Sequence, residues 1–93
     1  MIYELQFVPS AQKEWKKLDS VLKEQFKKKL AQRLQNPHIP KDRLCGRLNF
    51  YKIKLKTSGY RLVYEVDDGM LIVLILAIGK RSKGEVYKQA ARR

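Results

Sequence analysis

The stretch FYKIKLKTSGYRLVYEVDDGMLIVLILAI, residues 50–78, decides the fold of this 93-residue chain. From Phe50 to Lys56 it alternates strictly, with Tyr51, Ile53 and Leu55 on one face and Lys52, Lys54 and Lys56 on the other, as a strand with one buried face does. Thr57-Ser58-Gly59 is turn material. Tyr60 to Val66 then alternates again, with Tyr60, Leu62, Tyr64 and Val66 opposed to Arg61, Val63 and Glu65, so the two runs form a hairpin. Asp67-Asp68-Gly69 makes a second tight turn into Met70 to Ile78, whose unbroken apolar character suits a central strand covered on both faces. Gly79-Lys80-Arg81 ends that strand.

Upstream, Ile2 to Val8 sets Tyr3, Leu5 and Phe7 against Glu4 and Gln6, a first strand that Pro9 ends. From Ser10 the period changes: Ala11, Trp15, Leu18, Leu22, Phe26, Leu30 and Leu34 recur every three or four residues as one apolar helical stripe. Ser10 is a candidate N-cap and Asp19-Ser20 offers a second, so the segment reads as a hairpin of two helices, 10–17 and 20–35, stopped by Asn36-Pro37. Asn36 to Arg47, with Pro37, Pro40 and Gly46, is a loop. Ser82-Lys83-Gly84-Glu85 has the form of a capping box, which predicts a short last helix from Glu85 to Ala91. The fold class is α+β: an N-terminal strand, an antiparallel helix hairpin, a three-stranded antiparallel meander completing a four-stranded sheet, and a short C-terminal helix. The helices are expected to pack on one sheet face through Trp15, Leu22, Phe26 and Leu30. The lysine row is expected on the other, free face.

Residues 1–93 are expected to form a single domain, and 44% apolar against 32% charged residues is enough to build a core. The longest apolar run, Met70 to Ile78, is nine residues where a spanning helix needs about 20, and the N-terminus lacks the marks of a secretory signal. We therefore expect no membrane association and a cytoplasmic location. A single cysteine, Cys45, cannot form an internal disulfide, which suits a reducing compartment. Lys and Arg number 21 against 9 Asp and Glu, a formal net charge of +12, and such a surface seeks polyanions. Nucleic acid or ribosome, an acidic membrane face and an acidic protein all satisfy the sum. Only placement chooses among them.

No metal constellation, phosphate-binding glycine loop or Ser/His/Asp arrangement is visible, so no metal and no cofactor is expected. His38, between Pro37 and Ile39, reads as an ordinary exposed residue, Cys45 as a small packing residue without a paired base, and Asp67 and Asp68 as turn residues. What remains is a set of cations, Lys52, Lys54, Arg61 and Arg81, with Tyr51, Tyr60, Tyr64 and Tyr87 near in sequence. A solvated charged face is one reading of this set. The other is a phosphate site, because neighbouring antiparallel strands bring Lys52, Lys54 and Arg61 to one side, and four cations match the charge of a pentacoordinate transition state.

Tyr51-Lys52-Ile53-Lys54-Leu55, Ser58-Gly59-Tyr60-Arg61-Leu62-Val63-Tyr64, Gly79-Lys80-Arg81 and Glu85-Val86-Tyr87 closely resemble the RelE toxins of bacterial type II toxin-antitoxin pairs, and Lys13-Glu14-Trp15 and Gln25 to Leu30 extend the likeness along the whole chain. The resemblance implies a RelE/ParE-type fold and a toxin that enters the ribosomal A site and cuts the mRNA codon there. It also implies catalytic positions at Lys52, Lys54, Arg61, Arg81 and Tyr87. Where near relatives carry arginine this chain has Cys45, so the likeness does not extend to an auxiliary RNA contact there.

The chemistry can be argued beside the resemblance. RNA supplies its own nucleophile, the 2'-OH, and the face has neither His nor Glu for the proton steps. Neighbouring cations ease proton loss from an ammonium, so Lys52 or Lys54 is the candidate base, Lys54 with Lys52 as electrostatic partner being the preferred assignment. Arg61 would hold non-bridging oxygens with its planar fork. The resemblance assigns Arg81 to the leaving 5'-oxygen, where a guanidinium that keeps its proton stabilises an oxyanion better than it acts as an acid. Tyr87 would stack on a base. Lys16, Lys17, Lys23, Lys27, Lys28 and Lys29, with Lys56 and Lys80 from the sheet, form a docking surface for ribosomal RNA or else a solvated face. The partners expected are a RelB-like antitoxin, the 70S ribosome with A-site mRNA, and operator DNA only through the toxin-antitoxin complex. Two alternatives stand: a ParE-like gyrase inhibitor, which has no use for the cation set, and a non-catalytic nucleic-acid-binding module.

Overall fold

Pro9 opens a helix as well as following a strand. In the computed structural model, which describes residues 2–44, 49–55 and 58–80, strand β1 runs Glu4–Phe7 and helix α1 Pro9–Lys17. Proline suits the first helical turn because its missing N–H would have no partner there. The N-cap is consequently Val8, with no side-chain cap, and the expectation of Ser10 in that role is corrected: Ser10 already lies inside the helix. Helix α2, Ser20–Gln35, does begin as its sequence indicates. Asp19 is extended at the N-cap and its carboxylate accepts from the Leu22 N–H at 2.8 Å. The extended pair Leu18-Asp19 is all that separates the helices, and the Leu18 N–H closes α1 on the Trp15 carbonyl at 3.1 Å.

A 3-10 turn at Pro40–Asp42 precedes strands β2 (Phe50–Lys54), β3 (Tyr60–Asp67) and β4 (Ile72–Lys80). The sheet order is β1-β4-β3-β2, with β1 parallel to β4 and the other pairs antiparallel. β4 is thus central, as its unbroken apolar run requires. The long connection through the helix pair is what lets β1 lie parallel beside β4.

Phe26 and Leu30 of α2 and Ala11 of α1 are buried against Ile53, Leu62, Tyr64, Val66, Val73 and Ile75, with Trp15 and Leu22 partly buried beside them. Trp15 lies between Phe7 and Phe26, ring centroids 5.5 and 6.3 Å away. The helix layer therefore covers the face that the alternation assigns to the core. The expectation of a free opposite face needs correction. Val63 pairs with Ala77 and Tyr64 with Ile75, so Leu76 is the extra residue of a bulge, and Val63, Leu76 and Ala77 form a second, smaller buried cluster flanked by Leu44, Phe50 and Leu74. A strand apolar on both sides has to be covered on both sides. Only part of the outer face is left for charged groups. The short C-terminal helix expected after Glu85 lies outside the described residues.

Candidate phosphate-binding face

The turn between β2 and β3 sets the register of the cations. Gly59 takes φ 75°, a left-handed value that glycine adopts without steric cost, and its N–H donates to the Leu55 carbonyl at 2.9 Å. Ser58 Oγ accepts from the Tyr60 N–H at 3.3 Å. Lys54 then stands directly opposite Arg61, and Lys52 opposite Val63. Period two places Lys52, Lys54 and Arg61 on the face away from the helices. Across the next ladder Arg61 meets Gly79, which has no side chain to compete for the space.

Lys54 is exposed, Lys52 and Arg61 are half-buried, and among the described residues none of the three is ion-paired to a carboxylate. Like charges directly opposite one another destabilise a sheet. The Arg61 Nε is moreover buried with no hydrogen-bond partner among the described residues. An anion lodged here offsets both penalties, since it attracts the two charges and can accept from the orphaned donor. Arg81 and Tyr87, the other two catalytic positions implied by the resemblance, lie outside the described residues, as do Lys56 and Cys45.

A side chain that the pattern reading passed over sits behind this face. Arg33 Nη1 donates to the Lys52 carbonyl at 3.2 Å and to the Tyr64 hydroxyl at 3.0 Å, while Nη2 donates to Asp42 Oδ2 at 2.6 Å. The Tyr64 hydroxyl in turn donates to the Pro37 carbonyl at 2.7 Å, and burial pushes its pKa up. In sequence Arg33 is one more cation beside the apolar stripe of α2, and only the fold brings its partners together. Toward solvent, a cleft of about 330 Å³ opens here between α2 and β2, with Lys29, Lys41 and Lys54 on its walls and Ile39 and Ile53 also lining it.

His38 is not the ordinary exposed residue it was expected to be. Half-buried, it places Nδ1 2.9 Å from the Tyr51 hydroxyl and Nε2 2.8 Å from Asp68, which also accepts from the Tyr3 hydroxyl at 2.6 Å. The loop, β2, the N-terminal segment and the β3–β4 turn are tied at this point. Those two hydrogen bonds hold the Asp68 carboxyl below its usual value, the one from Tyr3 contributing most. Asp67 plays the turn role expected of it, accepting from the Met70 N–H at 3.1 Å.

Of the docking candidates, Lys16, Lys17, Lys27, Lys28, Lys29 and Lys80 are exposed and Lys23 is half-buried. Lys27 lies 3.5 Å from Glu24, and the Lys80 ammonium sits 5.8 Å from the Tyr60 ring centroid. The helical lysines belong to the layer on the far side of the sheet from Lys52 and Arg61. No group of three His, Cys, Asp or Glu able to hold a metal is present among the described residues, and no helix among them is long and apolar enough to cross a membrane.

Comparison with known proteins agrees with this architecture. Residues 5–84 match the family model described as the ParE toxin of the type II toxin-antitoxin system parDE. Over 93 residues the chain is 48% identical to the mRNA interferase toxin RelE of Escherichia coli strain K12, covering 100% of this chain and 98% of that one. It superposes on a mutant of E. coli RelE in the free state with a TM-score of 0.93 at 47% identity, covering 100% and 98% of the two chains. With RelE in the intact E. coli RelBE complex the TM-score is 0.84 at 48% identity, over 86% of this chain and 98% of that one.

Proposed function

Because the chain belongs to the RelE toxins, the mRNA interferase branch of the RelE/ParE type II toxin-antitoxin superfamily, we propose that it cuts mRNA in the ribosomal A site and so halts translation. The observation that supports this most directly is the Lys54–Arg61 cross-strand pair with Lys52 beside it, three cations on one face without a carboxylate ion-paired to any of them among the described residues. A gyrase inhibitor would have no use for that set.

The reaction needs little besides charge and alignment. The 2'-oxygen attacks the adjacent phosphorus, its proton passes to Lys52 or Lys54, the bond from phosphorus to the 5'-oxygen breaks, and that oxygen takes up a proton as it leaves. The products are a 2',3'-cyclic phosphate and a 5'-hydroxyl. Arg61 holds the non-bridging oxygens, most strongly when they carry the extra charge of the pentacoordinate state. Arg81 is assigned to the leaving oxygen and Tyr87 to stacking on a base. Alignment of the 2'-oxygen with phosphorus is worth roughly 7–11 kcal/mol, and a flexible free mRNA does not supply it, so the ribosome does. The helical lysines dock ribosomal RNA. The toxin works in the cytoplasm and is held inactive by a RelB-like antitoxin, through which alone it reaches operator DNA. Relatives of known structure include a RelBE toxin-antitoxin complex, which supports the pairing.

The test is to incubate purified protein with mRNA, free or on programmed ribosomes with an empty A site, and to map 5' ends. Cuts within A-site codons on ribosomes and intact free mRNA are expected. Equal rates on both substrates would overturn ribosome dependence. A DNA-damage response in cells without mRNA cuts would favour gyrase poisoning, and neither effect would favour a simple binder.

A further inference from the structure

β2 lies at one edge of the sheet, so among the described residues its outer backbone groups have no further strand to pair with. The stretch that carries two of the three described cations of the site is thus held by the sheet from one side only. The chain covers this edge in two places. Arg43 bridges to Tyr51, with the Leu44 N–H donating to the Phe50 carbonyl at 2.8 Å, and one step further the Lys52 carbonyl accepts from Arg33 at 3.2 Å. The Arg33 side chain is only 14% exposed and that of its Asp42 partner 13%. It also reaches the Tyr64 hydroxyl on β3, so one planar fork spans α2, the 3-10 turn, β2 and β3.

We propose that Arg33 is a positioning residue for the cation site: by holding the Lys52 carbonyl and the Tyr64 hydroxyl together it fixes the edge strand, and with it the Lys52 and Lys54 ammonium groups, against Arg61. It acts through the backbone and does not touch the RNA. This rests on the reading of the face as the cleavage site. Alignment governs the rate, and a shift of about 1 Å in a positioned group can cost about 100-fold, so a strand allowed to drift slows the chemistry without weakening docking through the helical lysines.

Arg33→Met alone would strand the Asp42 charge in a half-buried place and confuse misfolding with misplacement. The informative variant is R33M/D42L, which removes both charges together and is expected to leave stability near wild type, because apolar replacements of a mostly buried ion pair are often neutral. It should bind programmed ribosomes as tightly as wild type and cut the A-site codon about 10-fold more slowly at saturating protein. Amide hydrogen exchange at Lys52 and Ile53 should be several-fold faster, while exchange in β4 stays unchanged. Arg33→Lys, which keeps the ion pair but not the fork, should show smaller changes of the same sign, and decides the matter if the double variant does not fold. Wild-type rate with wild-type exchange overturns the proposal. So does an equal loss of rate and ribosome affinity, which would make Arg33 part of the docking surface. If wild-type protein cuts no ribosome-bound mRNA the cleavage reading falls, and the exchange measurement alone then reports whether Arg33 fixes the strand.

Discussion

Arg61 combines two local costs to the fold with the chemistry the proposed cleavage site needs. It faces Lys54 across the ladder and keeps a buried Nε without a partner among the described residues, two penalties that a bound phosphate would relieve together. If that relief is greatest in the transition state, Arg61→Ala should lower the single-turnover rate by about 100-fold while leaving ribosome affinity nearly unchanged. Equal losses in both would make the face a docking surface only. Arg61 could be named from alternation, because period two assigns its side chain whatever the rest of the chain does. Arg33 and His38 could not, since their roles come from partners 19, 31 and 30 positions away. Asp68 belongs with them. The Tyr3 and His38 hydrogen bonds lower its folded pKa, so the tie stabilises the protein above the ordinary carboxylate value of 3.8 and is lost as pH falls through the lower folded value. Asp68→Asn should therefore flatten the acid limb of a stability curve measured by urea unfolding below about pH 4, and an unchanged acid limb would show that the tie contributes nothing.

At the level of elements, a two-fold or 3.6-fold repeat was readable wherever one face is buried, which is why β2, β3 and both helices fall within a residue or two of expectation. Ends set by local competition were harder. Ser10 has the chemistry of a cap, but Pro9 claims the first helical position and moves the boundary back to Val8. The outer-face cluster was hidden for a different reason: a bulge at Leu76 shifts the register of a run in which every residue is apolar, so no alternation marks it. The turn at Gly59 is the element on which the site register depends. Among the described residues nothing beyond its chain neighbours lies within 4 Å of where a Cβ would be, so Gly59→Ala should be penalised by backbone conformation alone, roughly 1–2 kcal/mol. Gly59→Asn should lose less, because asparagine tolerates the left-handed region. Denaturant midpoints check the order, and equal midpoints for glycine and alanine would mean that the turn relaxes to another form.

Among the described residues, exposed lysines lie on the helix layer and the Lys52, Lys54 and Arg61 set on the outer sheet face, in a chain whose net charge is +12. That division predicts separable effects: replacing Lys27 and Lys28, which do not line the cleft that Lys29 shares with Lys54, by alanine should weaken ribosome binding and flatten its salt dependence, with near-normal cleavage at saturation. A rate that falls at saturation would place those lysines in the chemistry instead. The same charge shapes how the toxin is restrained. An acidic antitoxin segment, disordered alone and folding on contact, is drawn to such a surface, but attraction alone gives a complex that salt dissolves, because at 1 M the screening length is only about 3 Å. Restraint in a cell needs more than that. The chain offers apolar footholds beside its charge: Val21 is 62% exposed, next to a cleft of about 450 Å³ that Leu22, Tyr60 and Lys80 also line. A segment wrapped over the helix pair and the sheet edge would bury such groups, and apolar burial is strengthened rather than screened by excluded salts such as sulfate. The toxin and its antitoxin, co-purified, should therefore remain one complex by size exclusion in 1 M sodium chloride, and Val21→Asp should make that complex salt-labile while leaving cleavage by the free toxin unchanged. Dissociation of the wild-type pair at a few tenths molar salt would mean that charge is all that holds it.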